Sequence, residues 1–254
     1  MNNTVISYYQ PITGDNFSKD SFQLLEKWKK NWHSKGWNPV ILNETHARRN
    51  PHFNRFNNFR EDSILYQSKN SAIYLKQCYF RWLAYTQFVR ENGSTVWSDY
   101  DVYNESFTYK KFCSLAQNAH TLYCLSGSSG IIDQFLSSRI ERLFIKVGST
   151  NNISSIKDDQ IDFKFLQSKK HLLNDMILVQ SLFRSDESRM NIISSCIIGE
   201  KKEKLLNFDI FHIHGGLINP KNQERVYINM PHDTKMKRVE LWDFFAQKIK
   251  KLSE

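Results

Sequence analysis

Residues 73–103 read IYLKQCYFRWLAYTQFVRENGSTVWSDYDVY. The stretch from 71 to 91 is apolar around most of a helical circumference, at Ile73, Leu75, Phe80, Leu83, Ala84 and Phe88. A helix apolar on most sides belongs in a core. Asn92-Gly93 closes it, because glycine adopts the left-handed turn that ends a helix. Thr95-Val96-Trp97-Ser98 then supplies the β-branched and aromatic residues of a strand. That strand runs directly into Asp99-Tyr100-Asp101. Helix, glycine turn, strand and acidic pair make one α/β unit with its carboxylates at the strand's end.

Upstream, residues 4–10 (TVISYYQ) predict a short buried strand stopped by Pro11. A helix follows over 18–34, with Phe22, Leu25, Trp28 and Trp32 at helical spacing, and Gly36 ends it. Residues 39–43 (PVILN) predict a second strand. Residues 46–62 are polar, rich in Asn and Arg and aperiodic, which predicts a loop with short helical turns. Strand, helix, strand, helix, strand in that order implies parallel pairing through right-handed crossovers. Such sheets bind ligands at the carboxyl ends of their strands. Tyr8, Tyr9 and Gln10 therefore share an edge with Asp99.

Downstream, 121–126 predicts a strand, Gly127–Gly130 begins a turn, and 131–144 is helical in pattern. Residues 148–162 are polar and predict a mobile loop. Residues 171–183 predict a helix, 192–198 and 210–213 late strands, and 239–252 a basic amphipathic helix. No internal repeat or linker divides the chain. The expected fold class is α/β, one domain over 1–254, with a mixed and mainly parallel sheet flanked by helices.

The formal net charge is +9, and Lys and Arg are spread along the chain, denser at 27–35 and 248–251. A basic protein attracts phosphates, nucleic acid or anionic membrane surfaces. No zinc finger, basic zipper or RNA-binding signature accompanies the charge, so no nucleic acid partner is expected. A small phosphorylated ligand suits it better, with peripheral membrane association as a weaker option. Cys78, Cys113, Cys124 and Cys196 form no CxxC pair and no zinc spacing. No apolar run follows Met1 and no stretch reaches the length of a membrane span, so a cytoplasmic chain with reduced thiols is expected.

Two carboxylates one residue apart at a strand end can hold a hard divalent cation, directly or through water. The cation then bridges the two phosphates of a nucleoside diphosphate and offsets the charge that develops on it. An acidic turn in solvent is the plainer alternative. Lys76 and Arg81 lie on the preceding helix, where they either meet phosphate or stay solvated or paired. His212 and His214, in Phe211-His212-Ile213-His214-Gly215-Gly216, share a strand face. Of Tyr8 and Tyr9 one must be core, because strand side chains alternate.

The 73–103 run resembles the GT-A glycosyltransferases, in which a helix, a short glycine turn and a strand carrying a DxD motif follow one another. The strand and helix before Gly36-Trp37-Asn38-Pro39-Val40-Ile41-Leu42-Asn43 fit the same plan. The resemblance covers residues 4–105 well and the remainder loosely. It implies a Rossmann-like nucleotide-sugar-binding half over 1–105 and an acceptor-binding half over 106–254. It implies transfer of a monosaccharide from a UDP- or GDP-sugar to a glycan or other hydroxyl acceptor, with Mn²⁺ or Mg²⁺ as cofactor. Asp99 and Asp101 would hold the metal, with a third ligand from His214 or His212. Tyr8, Tyr9, Gln10, Ser98, Asp99 and Tyr100 would hold the nucleoside and ribose, and Arg81 and Lys76 the phosphates. Asp175 would take the proton of the acceptor hydroxyl, although a helix cap accounts for Asn174-Asp175 equally well. Asp133, Asp158 and Asp159 are weaker rivals. The late chain lacks the tryptophan-bearing acceptor motif of that family.

Two other readings compete. Asp99-Tyr100-Asp101-Val102 matches part of the DxDx[T/V] motif of haloacid-dehalogenase-type phosphatases, but two strands and two helices precede it and no late GDxxxD follows. A non-catalytic sugar- or nucleotide-binding module on the same fold is the other.

Overall fold

Alternation along three short strands sorts the side chains of this protein into two cores. The structure is a computed structural model that describes residues 2–11, 18–59, 62–66, 72–116, 122–123, 129–156, 161–169, 173–184, 191–192, 195–197, 209–213 and 237–253. In chain order the first elements are β1 (Thr4–Tyr8), α1 (Ser18–His33), β2 (Asn38–Leu42), α2 (Glu44–Arg48), α3 (Phe53–Asn57), α4 (Ala72–Asn92), β3 (Thr95–Ser98) and β4 (Val102–Asn104). Then come α5 (Tyr109–Ala116), β5 (Leu122–Tyr123), β6 (Ser129–Ile132), α6 (Gln134–Gly148), α7 (Phe163–Ser168) and α8 (Asp175–Arg184). The described elements end with β7 (Asn191–Ile192), β8 (Ser195–Ile197), β9 (Ile210–His212) and α9 (Arg238–Ser253).

The main sheet runs β2-β1-β3-β6. β1 is parallel to both β2 and β3, and β6 closes the edge antiparallel to β3. The class is therefore α/β, with a mixed and mostly parallel sheet between helices. Ile6, Tyr8, Trp97 and Ile132 face one core together with α4, α6 and α8. Val5, Val96 and Ile131 face the other, against Leu24, Trp28 and Trp32 of α1 and Trp242 and Phe245 of α9. Neighbours in sequence thus point to opposite cores, as a two-residue period requires. Removing one such large side chain from water contributes about 1.5–3 kcal/mol.

α1 fixes the segment that carries the acidic pair. The Trp28 indole N–H donates to Ser98 Oγ (3.3 Å), and that of Trp32 donates to the Val102 carbonyl (3.3 Å). Asn31 accepts from the Asn104 N–H (2.7 Å) and donates to its carbonyl (2.9 Å). Residues 98–104 are thereby held from one helix face before any ligand is considered. Gly93, at φ +83°, ends α4, and its N–H donates to the Val89 carbonyl (2.8 Å).

Several sequence expectations need correction. Phe22 is 56% exposed, and Leu24 takes its place in the core. Leu24, Trp28 and Trp32 form an i, i+4, i+8 stripe with Leu25 beside it, and Phe22 lies outside it. Ile73, at the start of α4, is likewise exposed. Of the expected turn at Gly127–Gly130, Ser129 and Gly130 belong to β6 while Gly127 and Ser128 lie outside the described residues, and the helix expected from 131 begins only at Gln134. The Asp133 carboxylate caps that helix by accepting from the Leu136 N–H (2.7 Å). The polar stretch 148–162 holds a 3₁₀ turn, Ile153–Ser155, and buries Ile153, Ile156 and Ile161. Three apolar anchors in a polar sequence are enough to dock it. The short helical turns expected in 46–62 are present, as the end of α2 and as α3, with Ala47, Phe53 and Phe56 buried. The helix expected from 171 starts at Asp175. β4 and α5 were not anticipated. Cys78 and Cys113 are free thiols. Among the described residues no helix is long and apolar enough to cross a membrane.

Candidate metal centre

β3 delivers Asp99 to the carboxyl edge of the sheet, where the chain turns. The Val102 N–H closes that turn on the Asp99 carbonyl (3.2 Å), and β4 departs in a new direction. β4 pairs antiparallel with β9, placing Val102 opposite His212. The Ile213 N–H donates to the Asp101 carbonyl (2.8 Å), so the late strand is tied to the acidic motif through the main chain. Donor atoms of Asp99, Asp101 and His212 consequently lie within 4.8 Å of one another.

Each carboxylate already has a counter-ion. Asp99 Oδ1 accepts from Arg81 Nη1 of α4 (2.8 Å). The other arm of Arg81 pairs with Asp175, the first residue of α8, and approaches Met176 Sδ (3.2 Å). The Trp82 indole also donates to Asp175 Oδ2 (2.8 Å). Asp101 Oδ1 lies 3.3 Å from His212 Nε2, and Asp101 Oδ2 accepts from Arg238 Nη2 (2.6 Å). Arg238 lies at the start of α9, with its guanidinium 5.4 Å from the Tyr100 ring centroid and its Nη1 donating to the Tyr100 hydroxyl (3.4 Å). Among the described residues, three carboxylates thus face two guanidiniums and His212.

The electrostatics follow from that arrangement. Burial pushes the Asp99 carboxyl up to about 6; Arg81 pulls it down and Asp101 pushes it up further. Burial alone would lower the pKa of His212, but the adjoining Asp101 carboxylate reverses this and raises it above the usual imidazole value. Two carboxylate oxygens and one imidazole nitrogen thus stand close enough together to serve as ligands of one metal ion.

The sequence-derived candidates divide into two groups. Asp99, Tyr100, Asp101, Arg81, Asp175 and His212 form one cluster. Tyr9 joins it, its ring meeting that of Tyr100 edge to face at 5.8 Å. Tyr8 is the core member of its pair, and its hydroxyl donates to Gln77 Oε1 (2.7 Å). Gln10 accepts from the Glu44 N–H (3.2 Å) at the start of α2. Ser98 is fully buried, receiving Trp28 and Ser129 and donating to the Asp99 carbonyl (3.0 Å). Lys76 lies over the Phe80 ring at 5.6 Å, about 140° around the helix from Arg81. Asp175 is 2% exposed, and its two donors suit a counter-ion for Arg81. Asp133 is occupied as a cap. His214, Asp158 and Asp159 lie outside the described residues.

Sequence reasoning missed Arg238 as a partner of the acidic pair. Its only signal was the basic start of an amphipathic helix, which says nothing about a contact more than a hundred residues upstream. Comparison of the chain with protein-family models, with curated proteins and with solved structures gives no match.

Proposed function

We propose that this protein is a GT-A-type glycosyltransferase that moves a monosaccharide from a UDP- or GDP-sugar to a glycan or other hydroxyl acceptor. One observation carries the reading. The acidic pair ends β3 beside the end of β1, with β2 on the other side of β1, and His212 stands within reach. Strand order reverses at β1, and open α/β sheets bind ligands in the crevice at such a reversal.

A divalent cation held by Asp99, Asp101 and His212 would offset the charge that develops on the leaving diphosphate. The residues do the rest. Tyr9 and Tyr100 present ring faces and edges at the nucleoside end of the crevice. Arg81 and Arg238 flank the acidic pair from opposite sides and are placed to meet phosphate oxygens. Asp175 and Trp82 hold Arg81 in position. In the reaction the bond from the sugar anomeric carbon to the diphosphate oxygen breaks, and that carbon bonds to the acceptor oxygen. The acceptor's proton leaves to water. Residues 1–105 would serve the donor and 106–254 the acceptor.

The test is thermal unfolding with UDP, GDP, CDP or dTDP, each with and without Mn²⁺. Binding to the native state alone adds about 2.7 kcal/mol at a hundredfold excess over Kd. The expected result is a Mn²⁺-dependent rise with one or two of the four nucleotides. Folded protein that binds Mn²⁺ but none of the nucleotides would overturn the transferase reading.

A further inference from the structure

Arg238 occupies one of the two Asp101 oxygens through which a cation could be ligated. Its Nη2 sits 2.6 Å from Asp101 Oδ2, in a setting where the two side chains are 16% and 11% exposed. His212 engages the other oxygen of the same carboxylate. Asp101 therefore meets a positive or proton-bearing group on both sides, and a metal ligated through Oδ2 must displace the guanidinium. α9 can permit this without unfolding. Arg238 lies in its first turn, while Leu241, Trp242 and Phe245 anchor the helix in the core.

A second observation says where the guanidinium goes. Arg238 uses Nη1 on Tyr100 and Nη2 on Asp101, but its Nε is buried and has no hydrogen-bond acceptor among the described residues. Arg81, on the other flank of the acidic pair, shows the same pattern: both Nη atoms are engaged and a buried Nε lacks an acceptor. A buried N–H without a partner is costly and selects for a ligand that supplies one. Guanidinium forks match phosphate oxygens in pairs.

We infer that Arg238 is an exchangeable counter-ion: it holds Asp101 in the empty protein, yields that oxygen to the metal, and moves to the diphosphate that arrives with it. This deepens the transferase reading and rests on it for the identity of the ligand. The exchange makes metal and diphosphate bind better together than apart, because the group that opposes the first becomes a ligand of the second.

The test compares the full chain with Arg238→Gln and Arg238→Lys. Mn²⁺ alone is titrated and followed by the electron paramagnetic resonance signal of the free ion. Inorganic pyrophosphate with saturating Mn²⁺ is followed by thermal shift. Arg238→Gln is expected to bind Mn²⁺ alone at least threefold more tightly and Mn²⁺-pyrophosphate at least tenfold more weakly than wild type. The two changes have opposite signs, which a merely structural arginine would not produce. Arg238→Lys keeps the charge but not the fork, so Mn²⁺ binding should stay near wild type while pyrophosphate binding weakens. This second variant decides the matter should Arg238→Gln fail to fold. Both ligands weakened together, or neither altered, overturns the exchange. Absence of Mn²⁺ binding in all three proteins removes the metal site itself and the inference with it. Opposite shifts with pyrophosphate, but no binding of any nucleoside diphosphate, sustain the exchange and remove the transferase reading.

Discussion

Val102 and His212 are register partners across β4 and β9, and this pairing brings the imidazole to the acidic pair. The next residue, Ile213, donates its N–H to the Asp101 carbonyl, so the His212 side chain has little freedom to miss. These two main-chain hydrogen-bonding patterns add to the side-chain bonds from α1 that hold residues 98–104.

His212→Ala removes the nitrogen donor and leaves that pairing in place. Mn²⁺ affinity should fall tenfold or more, with the preference for Mn²⁺ over Mg²⁺ reduced. Calorimetric titration of both ions measures it; unchanged Mn²⁺ affinity would remove His212 from the site.

The acidity of the cluster sets a pH dependence. Asp99 has a folded pKa of about 6, above its ordinary 3.8, and that of His212 is raised above 6.5. The folded protein thus holds both protons more tightly than the unfolded chain. Without metal, their stabilising contribution is complete below the unfolded values. It fades as pH rises from about 4 to about 6 for Asp99, and above about 6.5 for His212. Metal must displace the same protons, so its affinity runs the other way. The Mn²⁺-induced rise in Tm should be larger at about pH 7.5 than at about pH 5.5. A rise independent of pH would show that Asp99 and His212 take no part in binding.

Arg81→Ala strands two carboxylates, the buried Asp175 and the partly buried Asp99. Breaking a buried ion pair from one side costs about 3–5 kcal/mol. Urea denaturation at neutral pH should show a loss in that range, and part of it should return as the pH is lowered and Asp99 is protonated. A loss under about 1 kcal/mol would place Arg81 among ordinary surface pairs.

Gly148→Ala tests packing at the end of α6. Alanine in a helix ordinarily stabilises by about 1 kcal/mol over glycine. Here an added Cβ would lie 2.3 Å from the Phe59 ring, so the sign should reverse. The expected cost is about 1–3 kcal/mol, read from the denaturation midpoint. A stabilised variant would show that the Phe59 ring yields freely.

Much of the fold over residues 4–104 was legible because its elements are long or strongly patterned. α4 announces itself by apolar residues on most sides, and β3 by β-branched and aromatic residues ahead of two aspartates. β4 and β6 were not legible. Strands of three or four residues carry too little period to read, and Ser129-Gly130 resembles a turn. The glycine is there because the Trp97 indole leaves no room: an added Cβ would stand 2.9 Å from Nε1. At the site, Asp99 and Asp101 were readable from residue type and spacing, while His212 entered only as one of two late histidines that the family resemblance suggested, the other, His214, lying outside the described residues. The Arg238 contact was not, since it depends on how α9 docks against α1 and on nothing local. Asp175 was readable as an important carboxylate, but its pairing with Arg81 emerges only when α8 meets α4.

The Trp28 indole has a further consequence. It is fully buried and hydrogen-bonded to Ser98, whose hydroxyl in turn bonds the main chain of Asp99. Its excited state therefore decays only two hydrogen bonds from the acidic motif. Paramagnetic Mn²⁺ held there would quench its emission, and diamagnetic Mg²⁺ in the same seat would leave it bright. Should a cation bind there, the change in the protein's summed tryptophan emission would distinguish the two ions with no label attached.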